Sequence, residues 1–310
     1  MLVSVVICAY KRPDMLVEAL DSLKEQSLST DRFEVIVVDN NSGPPIPELV
    51  TKYVKTSGYE LRYVLEKSQG ISHARNSGVL AAKGEIIAFL DDDEVADENW
   101  LTAHLDVYHQ VPDVSAIVGK ALPLWESEAP KWLTDWRLIQ ELNMINWGDE
   151  VHRLTFRETL GTGNSSFRRE LFDEMGMFDT SLAVGEDIDM QRRMEASDKL
   201  IYYTPYAVVH HHVKPERARK RHFYRTAFAR GKQRASAAGR RRFDSLPDEV
   251  KPQGNTSQRL FQRAFVPIGY LTQQGLSEQG RVFLIRHVFY LWGFVYETIR
   301  TRLLRRPDPK

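Results

Sequence analysis

The chain is predicted to be an α/β protein, with a mostly parallel central sheet flanked by helices and a helical C-terminal extension. Three observations carry that expectation. Over the first hundred residues, short β-branched runs alternate with longer helical patterns, the sequence signature of a parallel sheet wrapped by helices. The runs are almost continuously apolar, so both faces of the sheet are covered. From Pro215 to Lys310 no strand signal remains.

The elements follow in order. Leu2 to Ala9, Phe33 to Val38, Leu61 to Leu65 and Glu85 to Leu90 read as strands, with helices at Asp14 to Gln26, Ile46 to Lys55 and Ile71 to Ala82. Pro13 sits near the start of the first helix, where its missing N–H costs nothing, and Gly84 stops the third. A helix from Leu101 to about Gln110 and a strand around Ser115 to Val118 come next. The Trp- and Pro-rich stretch from Pro123 to Trp147 reads as loop. Order returns at Gly161 to Arg168, followed by a short helix from Arg169, a loop at Gly176 to Gly185 and a helix from Ile188 to about Ala196. Strands near Leu200 to Tyr203 and Ala207 to His211 close this part. The remaining third reads as helices broken near Gly239, Pro247 to Gly254 and Gly275 to Gly280.

At 310 residues the chain is long enough for one large core with an appendage. Lys plus Arg and Asp plus Glu both number 42, so no global field favours nucleic acid or acidic lipid. The only cysteine, Cys8, lies in an apolar run and forms no internal disulfide, which fits a reducing compartment. The N-terminus reads as a first strand without a basic leader or cleavage site, so a cytoplasmic location is expected.

In an open parallel sheet, ligands bind beyond the carboxyl ends of the strands. Those ends are uniformly polar here: Ala9-Tyr10-Lys11-Arg12, Asp39-Asn40-Asn41-Ser42, Glu66-Lys67-Ser68 and Asp91-Asp92-Asp93-Glu94. Asp39 suits either a ribose or base edge, or a turn cap. Four consecutive carboxylates at the end of a buried strand repel one another unless something positive compensates. Asp91 and Asp93 point to one side of an extended backbone, and hard oxygen ligands suit Mg²⁺ or Mn²⁺ bound jointly to substrate phosphates. A second acidic group, Glu186-Asp187-Ile188-Asp189, follows Gly185 at a helix start. Capping and the helix dipole account for one carboxylate there, not three. Asp187 is the candidate general base, with Glu186 as its helper or an acceptor contact.

These segments carry a family resemblance. Val3 to Arg12, Val37 to Ser42, Gly70-Ile-Ser-His-Ala-Arg-Asn-Ser-Gly78, Ala88 to Glu94, Gly163-Asn-Ser-Ser-Phe-Arg-Arg169 and Gly185-Glu-Asp-Ile-Asp-Met190 resemble the family 2 glycosyltransferases, in that family's order, across roughly residues 2 to 211. The resemblance implies a GT-A fold and an inverting, metal-dependent transfer of sugar from a nucleotide diphosphate donor to an acceptor hydroxyl. It implies a nucleotide-sugar-binding and catalytic domain over 1–213 and an extension over 214–310 that meets acceptor, membrane surface or a second subunit. By the same resemblance, backbone at Ala9 and Tyr10 and the side chains of Arg12, Asp39 and Asn41 hold the nucleoside, and Arg75 lies near the diphosphate. Asp91 reaches the ribose or supports the metal, Asp92 is the variable middle position beside the nucleotide, and Asp93 ligates the metal directly. Gly163 and Asn164 border the sugar pocket, and Asp187 matches the catalytic base.

His210, His211 and His212 follow the last strand, and a histidine near this point often completes the metal or pyrophosphate site in related enzymes. Alternation puts His210 and His212 on one face and His211 on the other. His210 is the first choice as ligand, with the other two left open. Zinc is disfavoured, since no further acidic or cysteine group with metal spacing accompanies the histidines.

Trp125, Trp132, Trp136 and Trp147 are expected mostly in the core, with one left as a candidate to line the acceptor site. Val282 to Ile299 is apolar but interrupted by Arg286, His287 and Glu297, so it is not expected to span a bilayer unaided. With Arg300, Arg302, Arg305 and Arg306 it suits peripheral contact through 282–306, at the inner face of a membrane, with a lipid-linked acceptor; packing against the catalytic domain or a second copy fits equally. The basic run Arg217 to Arg242 reads as a solvated helix face, not as a nucleic-acid site.

Two rivals remain. A sugar-phosphate nucleotidyltransferase opens with a Gly-rich phosphate loop, whereas this chain reads Ala-Tyr-Lys-Arg-Pro. A non-catalytic carbohydrate- or nucleotide-binding subunit has no need of Asp91, Asp93 and Asp187 together. A processive synthase is disfavoured, since the sequence offers neither multiple spanning helices nor a Gln-x-x-Arg-Trp motif. The resemblance implies a nucleotide diphosphate sugar as donor partner, and a glycan, a lipid-linked sugar or a small molecule as acceptor, as in polysaccharide or glycoconjugate synthesis.

Overall fold

The computed structural model describes residues 2–155, 158–240 and 277–304, with side chains except at 233–240 and 301–304. Four segments form the parallel half of the sheet: β1 (Val3–Ala9), β2 (Phe33–Asp39) and β4 (Ile86–Asp91) are buried on both faces as expected, while β3 (Glu60–Leu65) lies at the edge with alternate residues exposed. Crossover helices α1 (Pro13–Ser22), α2 (Ile46–Tyr53) and α3 (Ile71–Ala81) join them. Parallel pairing carries all four chains in one direction, so their polar C-terminal ends meet at one edge.

After β4 the pairing changes. The chain continues through β5 (Glu94–Ala96), α4 (Trp100–Gln110), β6 (Val114–Trp125), α5 (Trp136–Ile139), β7 (His152–Arg153), β8 (Asn164–Arg168), α6 (Glu170–Met175), α7 (Glu186–Ala196) and β9 (Leu200–Val213). The order in the nine-stranded sheet is β3-β2-β1-β4-β8-β6-β9-β5, with β7 beside β9. β8 is antiparallel to both β4 and β6, and β9 is antiparallel to β5 and β7. The parallel character is therefore confined to residues 3–91, and the whole is a mixed sheet. β5 is only three residues long, which hid it in the sequence; it exists because Glu94–Ala96 pairs with Val209–His211. Pro205 does not divide β9 in two, because it lies between the stretches paired to β7 and to β5.

The core of the sheet is the apolar set the periodicity picks out. Phe89 of β4 stands edge-on to Phe167 and Phe178 at 5.8 and 5.7 Å between centroids. Each such fully buried ring contributes about 1.5–3 kcal/mol. Helix α1 ends at Ser22, short of the expected Gln26. The Gln26 amide instead donates to Ser22 O and Asp97 O, at 3.2 and 2.8 Å, and its oxygen accepts from the N–H of Leu101. A side chain so engaged serves the loop better than a further helical turn.

The described chain falls into two units, 1–124 with 143–212, and 125–142 with 213–310. Residues 125–142, where the sequence suggested only loop, belong to the second unit. Trp132 meets Phe223 edge-on at 5.2 Å there. Glu141 pairs with Arg230 of α8 (Lys220–Arg240) and with Arg286 of α9 (Glu278–Leu304), the latter at 2.6 Å. Gly231 and Gly293 let these two helices approach until a Cβ on either would strike the other's backbone. Helix α8 runs unbroken through Gly239, contrary to the expected break, and Gly280 lies in the first turn of α9. The break expected at 247–254 and the basic residues Arg305 and Arg306 lie outside the described residues.

Candidate active site

The site is assembled at the ends of β1 to β4. Past β1 the backbone of Lys11 takes φ 57°, and its N–H donates to Ser42 Oγ at 3.1 Å. The preceding N–H, that of Tyr10, donates to Asp92 Oδ2 at 2.9 Å, while Ala9 O accepts from the N–H of Asn40 at 3.0 Å. The backbone groups expected to hold a nucleoside thus also hold the strand ends to each other. Arg12 reaches the acidic loop: its Nη1 lies 2.9 Å from Asp92 Oδ1 and 2.5 Å from Asp93 Oδ2.

Asp39 is buried at the end of β2. Its Oδ1 accepts from the N–H of Ser42 at 2.8 Å and its Oδ2 from the Tyr63 hydroxyl at 2.9 Å. Burial, then the Asp39 carboxylate, pushes the Tyr63 phenol up to about 12. Asp39 therefore does serve as a turn cap, and any nucleoside contact uses lone pairs left over. Asn41 is exposed in the left-handed region at φ 60°. Its neighbour Asn40, which the sequence reading passed over, is the structural member: its amide donates to Ser68 O at 2.7 Å and accepts from the N–H of Gly70 at 2.9 Å. Asn40 thereby fixes the start of α3, the helix that carries Arg75. Its position inside an Asp-Asn-Asn-Ser turn was the only available signal.

Arg75 links the two acidic groups. Its buried guanidinium pairs with Glu186 at the first turn of α7 and lies 3.7 Å from Asp91 at the end of β4. Burial opposes its charge, but Asp91, Cys8, Glu186 and Asp187 more than offset that and raise its pKa, so it stays a cation. The carboxylates respond to the same environment. Burial raises Asp91, with Asp93 adding to it and Arg75 opposing. Burial pushes Asp92 up to about 7 despite Arg12 and the N–H of Tyr10. Burial and Asp91 lift Glu94 above the usual carboxylate range. Crowded carboxyls raised together mark a place where a cation lowers the free energy.

Asp187 lies one residue past Glu186, half-buried, with Oδ1 accepting from the N–H of Ile188 at 2.7 Å. Burial raises its pKa first, the neighbouring Glu186 second, with Arg75 opposing. For Asp187 as general base, which acts only when ionised, activity is expected to fall as pH drops through this raised pKa, with the acid limb of kcat/KM above that of an unperturbed aspartate. Replacing Glu186 by Gln removes a negative neighbour and frees Arg75 to act on Asp187, and both effects lower its pKa. The limb is expected to move to lower pH in E186Q; an unmoved or upward-shifted limb in a pH–rate profile contradicts the assignment.

Two expectations are corrected. His210 does not join the acidic loop: opposite Val95 on β5, it pairs with Asp97 at 3.0 Å, on the other face of the strand. His211, opposite Glu94, brings its ring nitrogens to 3.6 Å from Asp93 Oδ2 and from Glu94 Oε1. Alternation separated the two faces correctly, but only the unforeseen β5 pairing decides which face meets Asp93. His212 turns to Glu18 at 3.2 Å.

Asn164 does not border a sugar pocket with its side chain. It is buried among Trp100, Lys120 and Ala207: Oδ1 accepts from Trp100 Nε1 at 2.7 Å, and Nδ2 donates to Lys120 O and Ala207 O at 3.0 and 2.9 Å. Truncation orphans the buried Trp100 N–H and Ala207 carbonyl and the part-buried Lys120 carbonyl, so N164A is expected to lose about 3 kcal/mol and several degrees of Tm. Donor affinity of the folded variant should be unchanged. A thermal melt alongside nucleotide calorimetry separates this from a sugar contact, which would weaken binding at unchanged Tm.

Gly163 lies beside the acidic loop. A Cβ there would lie 2.6 Å from Asp91 Oδ2 and 3.1 Å from Glu94 Oε1, so only glycine leaves this space beside the carboxylates. That space and the donor set Asp91, Asp93 and His211 fit a Mn²⁺- or Mg²⁺-sized ion. No three His, Cys, Asp or Glu side chains among the described residues already converge as a full cage. An ion carried on substrate phosphates needs only one or two protein carboxylates, so the fit holds.

A mixed sheet with an acidic loop after its fourth strand, and a second acidic pair beyond a buried arginine, is the arrangement of the GT-A fold. Comparison with known proteins agrees. Residues 4–176 match the family described as Glycosyl transferase family 2, and the chain belongs to that family. Among curated relatives, the succinoglycan biosynthesis protein ExoM of Rhizobium meliloti is 31% identical over 216 residues, 68% of this chain and 67% of the relative. The glucosyl-dolichyl phosphate glucuronosyltransferase of Haloferax volcanii is 26% identical over 221 residues, 68% and 69% of the two chains. Among solved structures, a mannosyltransferase from Pyrobaculum calidifontis in complex with GDP-Man and Mn²⁺ superposes with a TM-score of 0.63 at 19% identity, covering 95% of this chain and 86% of that one. S. aureus TarS 1–349 in complex with UDP gives 0.54 at 16% identity, covering 100% and 94%. At these identities the structures establish the fold.

Proposed function

We propose that this glycosyltransferase is inverting and metal-dependent, moving a sugar from a nucleotide diphosphate onto an acceptor hydroxyl in polysaccharide or glycoconjugate synthesis. One observation carries the reading: the single buried guanidinium of Arg75 pairs with Asp91 at the start of the acidic loop and with Glu186, the neighbour of Asp187. Those are the parts a single displacement needs, a leaving-group site and a base held near each other. The acceptor oxygen attacks the anomeric carbon as Asp187 takes its proton. The bond from that carbon to the diphosphate oxygen breaks on the opposite face, and the diphosphate leaves with the electron pair, inverting the centre. Asp93 is the proposed direct ligand of the cation, with Asp91 supporting and His211 adjoining in place of His210. Bound there, a divalent ion offsets the charge growing on the leaving diphosphate. Asp39, Arg12 and the exposed ring of Tyr10 are the proposed nucleotide contacts. The GDP-Man, UDP and Mn²⁺ complexes of the structural neighbours support the donor and ion classes. Calorimetry with UDP and GDP, each with and without Mn²⁺, tests the reading: binding should require the ion, and ion-independent binding of both would overturn metal dependence.

The C-terminal unit adds a proposed location, in the cytoplasm with peripheral contact at the inner face of a membrane. Glu278–Arg300 is long and apolar enough by length and composition to cross a membrane, and 22% of that window is buried. Ile285, Val288, Trp292, Val295 and Ile299 follow helical spacing and are all exposed, with Arg281 and Arg300 near the two ends. An apolar stripe ended by arginines suits an anionic lipid surface. Flotation with anionic vesicles should carry the wild type and leave W292E/V295E behind; a stable dimer without flotation would assign the stripe to self-association instead.

A further inference from the structure

Arg12 stands out among the residues around the acidic loop. It is a cation placed on the carboxylate proposed to ligate the ion, 2.5 Å from Asp93 Oδ2 and 2.9 Å from Asp92 Oδ1 through the same Nη1. Its side chain is 43% exposed, against 7% for Asp92 and 13% for Asp93. The carboxylates are fixed and the arginine has room to turn. It is also the N-cap residue of α1 without any side-chain cap bond, so the helix does not depend on where it points. The same Asp93 oxygen, Oδ2, lies 3.6 Å from His211 Nε2. A divalent ion arriving at Asp93 while Arg12 remains would set two cations against one carboxylate.

We infer that Arg12 is a built-in counter-ion that occupies Asp92 and Asp93 when no donor is bound and passes to the donor's diphosphate as the ion arrives. This rests on the assignment of Asp93 as the metal ligand. A guanidinium forks onto phosphate oxygens as readily as onto a carboxylate, so the exchange keeps Arg12 paired in both states. The consequence is ordered loading. The donor-free site holds a divalent ion weakly, and nucleotide diphosphate draws the ion in by relieving Arg12 of its partners. By reciprocity the ion strengthens nucleotide binding by the same factor. Arg12 is thus a positioning residue that couples two ligands.

The test is Mn²⁺ binding by the intact chain, followed through the electron paramagnetic resonance of free Mn²⁺, first without nucleotide and then with UDP or GDP. In Arg12→Gln, nucleotide-free affinity for Mn²⁺ should rise about tenfold over wild type, within the usual range of such couplings. The further gain on adding nucleotide should shrink by a similar factor. Arg12→Lys keeps the charge and should behave like wild type without nucleotide. Superimposable circular-dichroism spectra and melts show that the variants are folded. R12Q binding nucleotide-free Mn²⁺ no more tightly than wild type would overturn the proposal, provided D93A abolishes nucleotide-dependent Mn²⁺ binding in the same assay. If D93A binds Mn²⁺ as wild type does, the ligand assignment itself fails and the proposal falls with it.

Discussion

Asp187→Asn should leave nucleotide binding intact and lower kcat by about a thousandfold, within the ~10²–10⁴ that a positioned general base supplies. The substitution keeps the size of the side chain and an oxygen able to accept from the N–H of Ile188, so the start of α7 is undisturbed. What disappears is a proton acceptor whose pKa burial and Glu186 have raised. The loss should fall on kcat, because acceptor deprotonation develops in the transition state and not on binding. Steady-state kinetics with calorimetry of the donor nucleotide separates the two. Full transfer activity in D187N would remove Asp187 from the chemistry.

Asp93→Ala should abolish Mn²⁺-dependent nucleotide binding to the limit of calorimetric detection. Asp93 is the acidic-loop carboxylate that both Arg12 and His211 approach. Removing it also leaves Arg12 to Asp92 alone and takes away the charge an incoming ion would neutralise. The protein itself should remain folded, because Asp93 lies beyond the last paired residue of β4 and its backbone oxygen still accepts from the N–H of His212 at 2.9 Å. Retained ion-dependent binding at wild-type affinity would show that the ion sits elsewhere.

Much of this was legible before any coordinates. The parallel half of the sheet follows from β-branched runs and glycine stops, because a strand buried on both faces has few other ways to be written. The acidic loop and the Glu186-Asp187 turn are local clusters whose chemistry shows in composition alone. What escaped were facts of pairing. Arg75 is separated from Glu186 by 111 positions, and nothing local says that one guanidinium serves both acidic groups. His211 was passed over for His210 because the choice depends on β5, three residues whose strand character exists only against β9. Asn164 was expected near the sugar because the family resemblance of Gly163 to Arg169 implied it. Its partners Trp100, Lys120 and Ala207 come from three different elements, so its burial is a tertiary fact. The four candidate tryptophans at 125, 132, 136 and 147 are all half-buried, between the core and surface roles the sequence offered them.

Inversion through Asp187 is the centre of the account, and the anomeric configuration of the first product tests it most directly. With an α-linked nucleotide sugar chosen by Mn²⁺-dependent thermal stabilisation, and Mg²⁺ substituted to avoid paramagnetic broadening, proton NMR of the transferred sugar should show a β-anomeric coupling from the earliest time point. An α-linked first product would contradict a single displacement and require a nucleophile on the opposite face of the sugar.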